Sequence, residues 1–177
     1  VKDNYPNFQL SAYGGMYVAG GIIGIIGAIV LSKAPEPQSQ MSRENIFKLL
    51  QRPLRDPNFR RLLIFNSAWV FALNIAIPFF SVYMLKTMNL SISYIIVLTI
   101  ISQLCGIFTV GLWGSFSDRY SNKTIIAIAA PLYILCILAW CFVGLYTTFL
   151  ANLILLILIH IFTGVATSGI NLSLTNI

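Results

Sequence analysis

Residues 92–123 of the chain read ISYIIVLTIISQLCGIFTVGLWGSFSDRYSNK, and this stretch decides the fold. Its first part, Ile92 to Phe116, contains no charged residue. As a helix it is long enough to cross about 30 Å of hydrocarbon, at roughly 1.5 Å per residue. The run ends in a short polar link, Ser117 to Lys123, which holds Asp118 and Arg119. The pattern predicts a membrane-spanning helix that emerges into water near Ser117.

Four other apolar runs repeat this pattern along the chain. Hydrophobic residues make up 58% of the sequence and charged residues 9%, whereas soluble domains carry roughly 25% charged residues. A lipid bilayer is therefore the expected solvent, and the predicted fold class is an all-α integral membrane protein with about five transmembrane helices. The other four predicted spans are Ser11–Leu31, Leu62–Leu85, Thr124–Leu145 and Phe149–Leu174.

A long basic connection, residues 32–61, follows the first span and contains seven Lys or Arg residues. It divides the chain into an external segment with the first span (1–31), the connection itself (32–61) and four further spans (62–177). Ser42 could cap a short helix within the connection that lies on the lipid surface. Neither a start codon nor a signal peptide is visible before the first span, so we expect further helices upstream.

The distribution of basic residues predicts the orientation of the spans. Lys and Arg in short loops are retained in the cytoplasm. The connection of residues 32–61 and the Ser117–Lys123 link are rich in them, whereas the opposite side carries Lys2 and Lys86. We therefore expect the N-terminus outside and the C-terminus in the cytoplasm, in a plasma (inner) membrane.

The charge and cysteine patterns argue against other classes of function. The formal net charge is +6, but the basic residues flank apolar runs instead of forming one nucleic-acid-binding patch. Cys105, Cys136 and Cys141 lie inside apolar runs and are interpreted as small hydrophobic residues. The sequence shows no acid pair, nucleophile with a base, phosphate loop or metal-ligand cluster. We expect no enzyme activity, no cofactor, no metal and no nucleic-acid partner.

The polar link after the third span carries the most specific motif of the chain. Its residues resemble the cytoplasmic loop G-x-x-x-D-R-x-G-[RK]-[RK] of the major facilitator superfamily. Ser121 and Asn122 depart from that pattern, because they stand where glycine and a basic residue are usual. The matching residues, which also fit a simple turn with basic membrane anchors, are Gly114, Asp118, Arg119 and Lys123.

The resemblance covers nearly the whole chain and implies a position within a twelve-helix carrier. In that superfamily a long cytoplasmic connection joins two six-helix halves, and here residues 32–61 separate the first span from the rest. The five spans therefore resemble helices six to ten, and helices one to five and eleven to twelve are expected outside this chain. The resemblance implies a secondary active transporter that moves a small solute by alternating access. The alternative is a non-transporting polytopic membrane protein, either a degenerate relic of a transporter or an assembly partner.

Polar residues on the second and fifth spans mark a candidate substrate cavity, because the helices that these spans resemble contribute to the central cavity in the superfamily. At about 100° per residue, the polar residues of each span gather on one side. On the second span they are Asn66, Ser67, Asn74 and Ser81, with Pro78 nearby, and on the fifth span they are Asn152, His160, Thr163, Thr167 and Asn171.

His160 lies well inside the fifth span. Because exposing an ionisable side chain to lipid is energetically costly, its presence there suggests a functional role. Proton coupling and substrate contact are both compatible with this position. The alternative is a neutral histidine that bonds a carbonyl or hydroxyl group for helix packing.

The third span has its own polar side, formed by Thr99, Ser102, Gln103 and Gly106. Ser102 and Gly106 have the small-xxx-small spacing that favours close packing of two helices in lipid. We expect an interface there in preference to a substrate site. No function is predicted for the scattered tryptophans Trp69, Trp113 and Trp140.

Overall fold

The computed structural model describes residues 6–33, 53–145 and 148–176. These residues form five helices that are long and apolar enough to cross a membrane, which confirms the predicted all-α membrane fold. The chain divides into a unit that ends at Leu50 and a second unit that begins at Gln51. The short helix suggested after Ser42 lies outside the described residues. The helices are α1 (Pro6–Ser32), α2 (Pro57–Val82), α3 (Ile92–Arg119), α4 (Asn122–Ala139) and α5 (Phe149–Thr175).

Helix α1 belongs to the first unit and has 27 residues, a length of about 40 Å at roughly 1.5 Å per residue. It is continuous although it contains glycine at positions 14, 15, 20, 21, 24 and 27. In hydrocarbon the backbone has no partner outside the helix, so glycine does not interrupt a span as readily as in water. In its last turn, Ser32 Oγ donates to the Ile29 carbonyl at 2.8 Å.

Helix α2 begins at Pro57, earlier than the predicted start at Leu62. The Asp56 side chain accepts a hydrogen bond from the Asn58 amide at 2.8 Å, and Pro57 stands in the first turn, where its missing donor is not needed. The polar residues up to Arg61 are therefore helical, and the helix is longer than its apolar run. Hydropathy indicates which part of a helix lies in the hydrocarbon of the membrane, whereas capping decides where the helix begins.

Helices α3 and α5 pack closely through glycines. A Cβ atom at Gly164 would overlap the Ser102 carbonyl oxygen and lie 2.8 Å from its carbonyl carbon. A Cβ atom at Gly106 would lie 3.3 Å from the Gly164 carbonyl oxygen. Nearby, Thr109 Oγ1 and Ser168 Oγ are 3.0 Å apart and share a hydrogen bond between the two helices. The predicted interface at Ser102 and Gly106 is confirmed, and its partner is α5.

Trp113 joins the same two helices. Its indole Nε1 donates to the Val165 carbonyl of α5 at 2.9 Å. The ring lies against Gly169, where a Cβ atom would stand 2.8 Å from the ring carbon Cε2. This tryptophan, for which the sequence predicted no function, is a structural contact that needs glycine opposite it.

Buried apolar side chains form two clusters in the second unit. We call the end that holds Arg119 and Asn122 the motif end, and the opposite end, with Tyr83 and Val143, the far end. Cys136 is buried among apolar residues, in agreement with its interpretation as a small hydrophobic residue. The far-end cluster comprises Met84, Leu90, Leu98, Cys136, Val143, Leu156 and Ile159. The motif-end cluster comprises Ile125, Ala129, Ala130, Tyr133, Ala166 and Ile170.

At the far end, the turn after α4 is fastened to both α2 and α5. Helix α2 continues into a π-helical turn, where Tyr83 Oη donates to the Val143 carbonyl at 2.9 Å. Gly144 follows with a φ of 88°, and its amide donates to Asn152 Oδ1 at 2.9 Å. A Cβ atom at Gly144 would overlap Tyr83 Oη. Both the backbone conformation and the close approach therefore require glycine here.

Candidate functional site

A cavity of about 700 Å³ lies among α2, α3, α4 and α5. Helices α2 and α4 contribute mostly apolar and aromatic side chains to its wall, whereas α3 and α5 contribute most of the hydroxyl, amide and imidazole groups. The volume is within the range of about 300–1,000 Å³ that is usual for small-molecule sites. The polar residues of the wall include Ser81, Thr99, Ser102, Gln103, His160, Thr163, Thr167, Ser168, Asn171 and Thr175.

Five of the residues that the sequence assigned to a substrate cavity lie in this wall. Ser81 comes from α2, and α5 contributes His160, Thr163, Thr167 and Asn171. The four α5 residues recur every three or four positions, so their side chains follow one side of the helix. Helix α5 therefore turns its polar side to the cavity.

The other predicted residues of α2 do not line the cavity. Helix α2 instead presents an apolar stripe that includes Ile77 and Phe80. At about 100° per residue, this stripe is rotated by roughly 90° from the side that carries Ser67 and Asn74. Ser67 and Asn74 are exposed, and Asn74 Nδ2 donates to the Val70 carbonyl at 2.8 Å. Asn66 is half-buried and is likewise outside the wall.

Asn152 also lies away from the cavity, in the first turn of α5 at the far end. Its side chain is buried, accepts from the Gly144 amide and donates to the Thr148 carbonyl at 3.3 Å. These bonds hold the turn between α4 and α5. The structure thus places Asn152 in a loop-stabilising position, distinct from the four cavity residues on the same helix.

His160 is half-buried in the cavity wall. Its Nδ1 is 2.8 Å from the Leu156 carbonyl oxygen. A carbonyl oxygen can only accept, so Nδ1 carries the hydrogen, and Nε2 of the neutral ring is an acceptor. Nδ1 therefore makes the hydrogen bond to a carbonyl group that is expected of a neutral histidine in helix packing. Nε2 makes no hydrogen bond to any residue that the structure describes.

Three rings form an aromatic group in the same wall, which we call the aromatic trio: Phe80, Trp140 and His160. The centroids of Phe80 and Trp140 are 4.4 Å apart and the rings are almost parallel, at 9°. Trp140 and His160 meet at 65°, with centroids 6.1 Å apart. Sequence reasoning missed Trp140 and Phe80, because hydropathy does not distinguish a cavity-facing ring from a lipid-facing one.

Gln103 was predicted to belong to a helix interface, but it is exposed and lines the cavity together with Thr99. The interface and the cavity meet on α3, because Ser102 and Gly106 touch α5 while their neighbours border the open space. An amide side chain in the middle of an apolar span was the available signal for this position.

The motif of residues 114–123 spans the end of α3, the short turn at 120–121 and the start of α4, at the motif end. Asp118 and Arg119 form the last turn of α3 instead of lying in a link, and Lys123 is in the first turn of α4. A basic residue in the last turn favours the helix, since it interacts with the negative end of the helix dipole. All three charged side chains are exposed, and Gly114 is half-buried.

Asn122, which departs from the family pattern, connects three helix ends. Its Oδ1 accepts a hydrogen bond from Ser117 Oγ near the end of α3. Its Nδ2 donates to the Asn176 carbonyl just after α5, at 3.2 Å. The preceding Ser121 has a nearly fully extended backbone, with φ 158° and ψ 159°, and its Oγ accepts from the Thr124 amide. Serine therefore replaces the usual glycine and also caps α4.

In the part of the chain that the structure describes, five long apolar helices define a multi-pass membrane protein, and four of them surround a cavity whose wall includes polar side chains. The family model of the Major Facilitator Superfamily matches residues 8–177. The chain therefore belongs to this superfamily of membrane transporters, as the loop at Asp118 indicated. No curated protein and no solved structure gives a significant match to the chain.

Proposed function

We propose that the protein containing this chain is a secondary active carrier that moves a small solute by alternating access, and that the cavity is this chain's part of the substrate site. The observation that carries the proposal is the cavity wall, where polar side chains of three helices converge inside otherwise apolar spans. A polar group facing hydrocarbon without a partner is costly. Such a concentration is expected where water and a solute reach the protein interior.

The depth of the polar groups supports the same proposal. Gln103 and His160 each lie about 16 Å from the start of their helix, counting roughly 1.5 Å per residue. This depth is close to the middle of a hydrocarbon layer of about 30 Å. Carriers that work by alternating access bind their solute near the midplane, which either surface can then reach in turn.

We assign the motif end to the cytoplasm and the protein to a plasma (inner) membrane. Arg119 and Lys123 lie at this end, together with Arg60 and Arg61 at the start of α2. Lys86 lies at the far end. Because basic residues in short loops are retained in the cytoplasm, this distribution favours a cytoplasmic motif end.

The motif loop has the chemistry of a conformational latch. Asp118, Arg119 and Lys123 are exposed, so their charges are available to groups elsewhere in the protein. Charged side chains at helix ends can form charge-assisted hydrogen bonds and can interact with helix dipoles. We infer that contacts of this loop stabilise one of the two access states.

The carrier proposal is tested with the whole protein encoded by the gene that contains this chain. The purified protein is reconstituted into proteoliposomes, and uptake of a broad panel of labelled solutes is measured with proton or sodium gradients. We expect saturable uptake of at least one solute. Replacing Asn171 or Thr167 by leucine should reduce uptake at least tenfold. Phe108→Leu should not, because Phe108 is 76% exposed and outside the wall.

A result without uptake of any solute, from protein that elutes as a single folded species, would refute the carrier proposal. It would favour the non-transporting interpretation of the same fold. If uptake is observed but neither α5 substitution reduces it, the protein is a carrier whose solute does not bind in this cavity.

The orientation is tested separately with single cysteines in a background that lacks Cys105, Cys136 and Cys141. Thr87→Cys places a thiol at the far end and Ser121→Cys places one at the motif end, both at exposed positions. A membrane-impermeant maleimide added to intact cells should label position 87. Position 121 should react only after permeabilisation. The opposite pattern would reverse the assignment.

A further inference from the structure

We infer that the cavity takes an uncharged solute with a planar ring and hydrogen-bonding groups, an inference that rests on the proposed carrier function. Three features of the wall point to this class: the aromatic trio, a set of amide and hydroxyl groups without a hydrogen bond to any described residue, and the absence of formal charge in the described lining.

The aromatic trio provides an ordered surface for a planar ring. Phe80 covers one face of Trp140 in a nearly parallel stack, and His160 meets Trp140 edge to face. His160 is itself held by the Leu156 carbonyl. The rings are therefore positioned before a solute arrives, and little conformational freedom is lost on binding. Aromatic rings prefer offset-stacked or edge-to-face neighbours, which a planar solute supplies.

Several polar groups of the wall are available to a solute. Within residues 53–145 and 148–176, the side chains of Ser81, Gln103, Thr167 and Asn171 make no hydrogen bond, although all four line the cavity. The two amides each offer one acceptor and two donors. His160 Nε2 adds an acceptor beside the aromatic rings. A solute that carries both donors and acceptors matches this set.

The lack of formal charge in this chain's part of the wall favours an uncharged solute. None of the cavity-lining residues in the described part of the chain is Asp, Glu, Lys or Arg. A charged solute entering this space would lose water without gaining an opposite charge from α2 to α5, which is costly. The wall therefore favours a neutral ring.

The inference is tested with matched sets of labelled solutes in proteoliposomes of the whole protein. One set consists of benzamide, benzoate, benzylammonium and cyclohexanecarboxamide, and a second repeats these groups on a two-ring scaffold. They separate the effects of negative charge, positive charge and loss of planarity. We expect saturable uptake of a neutral planar amide at least tenfold above its charged and non-planar analogues.

Two variants link this preference to the wall. Trp140→Leu should reduce the preference for the planar over the non-planar amide at least fivefold. Gln103→Leu should weaken uptake of both neutral amides to a similar degree. Phe108→Leu is the matched control for an aromatic side chain outside the wall and should retain the wild-type preference.

The outcomes distinguish this inference from the carrier proposal. Saturable uptake confined to charged or ring-free solutes would overturn the inference and leave the carrier function intact. The same holds if Trp140→Leu keeps the full preference for planar solutes. If no solute of any kind is moved, the carrier proposal fails, and the inference fails with it.

Discussion

The packing of α3 against α5 leads to a graded prediction for three glycines. At Gly164 an added methyl group would meet the backbone of Ser102, with the carbonyl carbon only 2.8 Å away. At Gly106 the nearest atom would be 3.3 Å away, and at Gly111 no atom lies within 4 Å. Substitution by alanine should therefore be most costly at position 164, intermediate at 106 and harmless at 111.

The size of the effect follows from the contact that must be relieved. Ordinary contacts of a Cβ atom begin at about 3.4 Å, so the Gly164→Ala methyl group has to move by roughly 0.6 Å to clear the Ser102 carbonyl carbon. The overlapping carbonyl oxygen is nearer and requires a larger shift. Backbone cannot rotate away as a side chain can, so α3 and α5 must separate along their contact. Overpacking of this kind typically costs about 1–3 kcal/mol. Gly106→Ala should cost about 1 kcal/mol or less, because its neighbour needs to shift only slightly.

The assay is the free energy of unfolding of the purified protein, measured by titrating a denaturing detergent into mild detergent micelles and following helix content. Gly111→Ala is the matched control, since it makes the same chemical change on an open side of α3. Equal stability of the Gly164→Ala and Gly111→Ala variants would refute the close approach of the two helices. If Gly106→Ala lowers the free energy of unfolding more than Gly164→Ala does, the register of the interface is wrong.

Three further predictions concern the contacts that hold the helix ends and the interface. Gly144→Ala should cost about 1–3 kcal/mol in the same titration, because φ is 88° there and Tyr83 Oη occupies the space; a neutral result would contradict this turn. Trp113→Phe should cost about 0.5–1.5 kcal/mol through loss of the Val165 hydrogen bond, and wild-type stability would show that the bond is not formed. Asn122→Ala should speed amide hydrogen exchange at the ends of α3 and α5 without affecting the far end, whereas unchanged exchange would exclude the bridge.

The polar side of α2 shows where sequence reasoning about the site reached its limit. Helical spacing correctly groups Ser67, Asn74 and Ser81 on one side of a helix, but it does not say what that side faces. Contacts of Phe80 with Trp140 and of Trp69 with Tyr133 set the rotation of α2. As a result, Ser81 borders the cavity and Asn74 does not.

On α5, helical spacing grouped residues that also lie together in the structure, because four of the five predicted residues line the cavity. Its polar side is continuous over several turns and lies opposite the leucine and isoleucine residues of the helix. A broad polar side within a span is expected to face the protein interior, because exposing it to lipid is energetically costly. Asn152 is the exception, since it stands in the first turn, where a loop can satisfy its amide.

The sequence by itself determined the number of spans, their approximate limits and the loop that marks the superfamily. These features depend on local hydropathy and spacing, because a helix must be apolar over the thickness of the hydrocarbon and can be polar where it meets water. Only the tertiary structure decided which residues surround the cavity and that Asn122 joins three helix ends. Those relations depend on the rotation and register of whole helices, which contacts between residues distant in the sequence set.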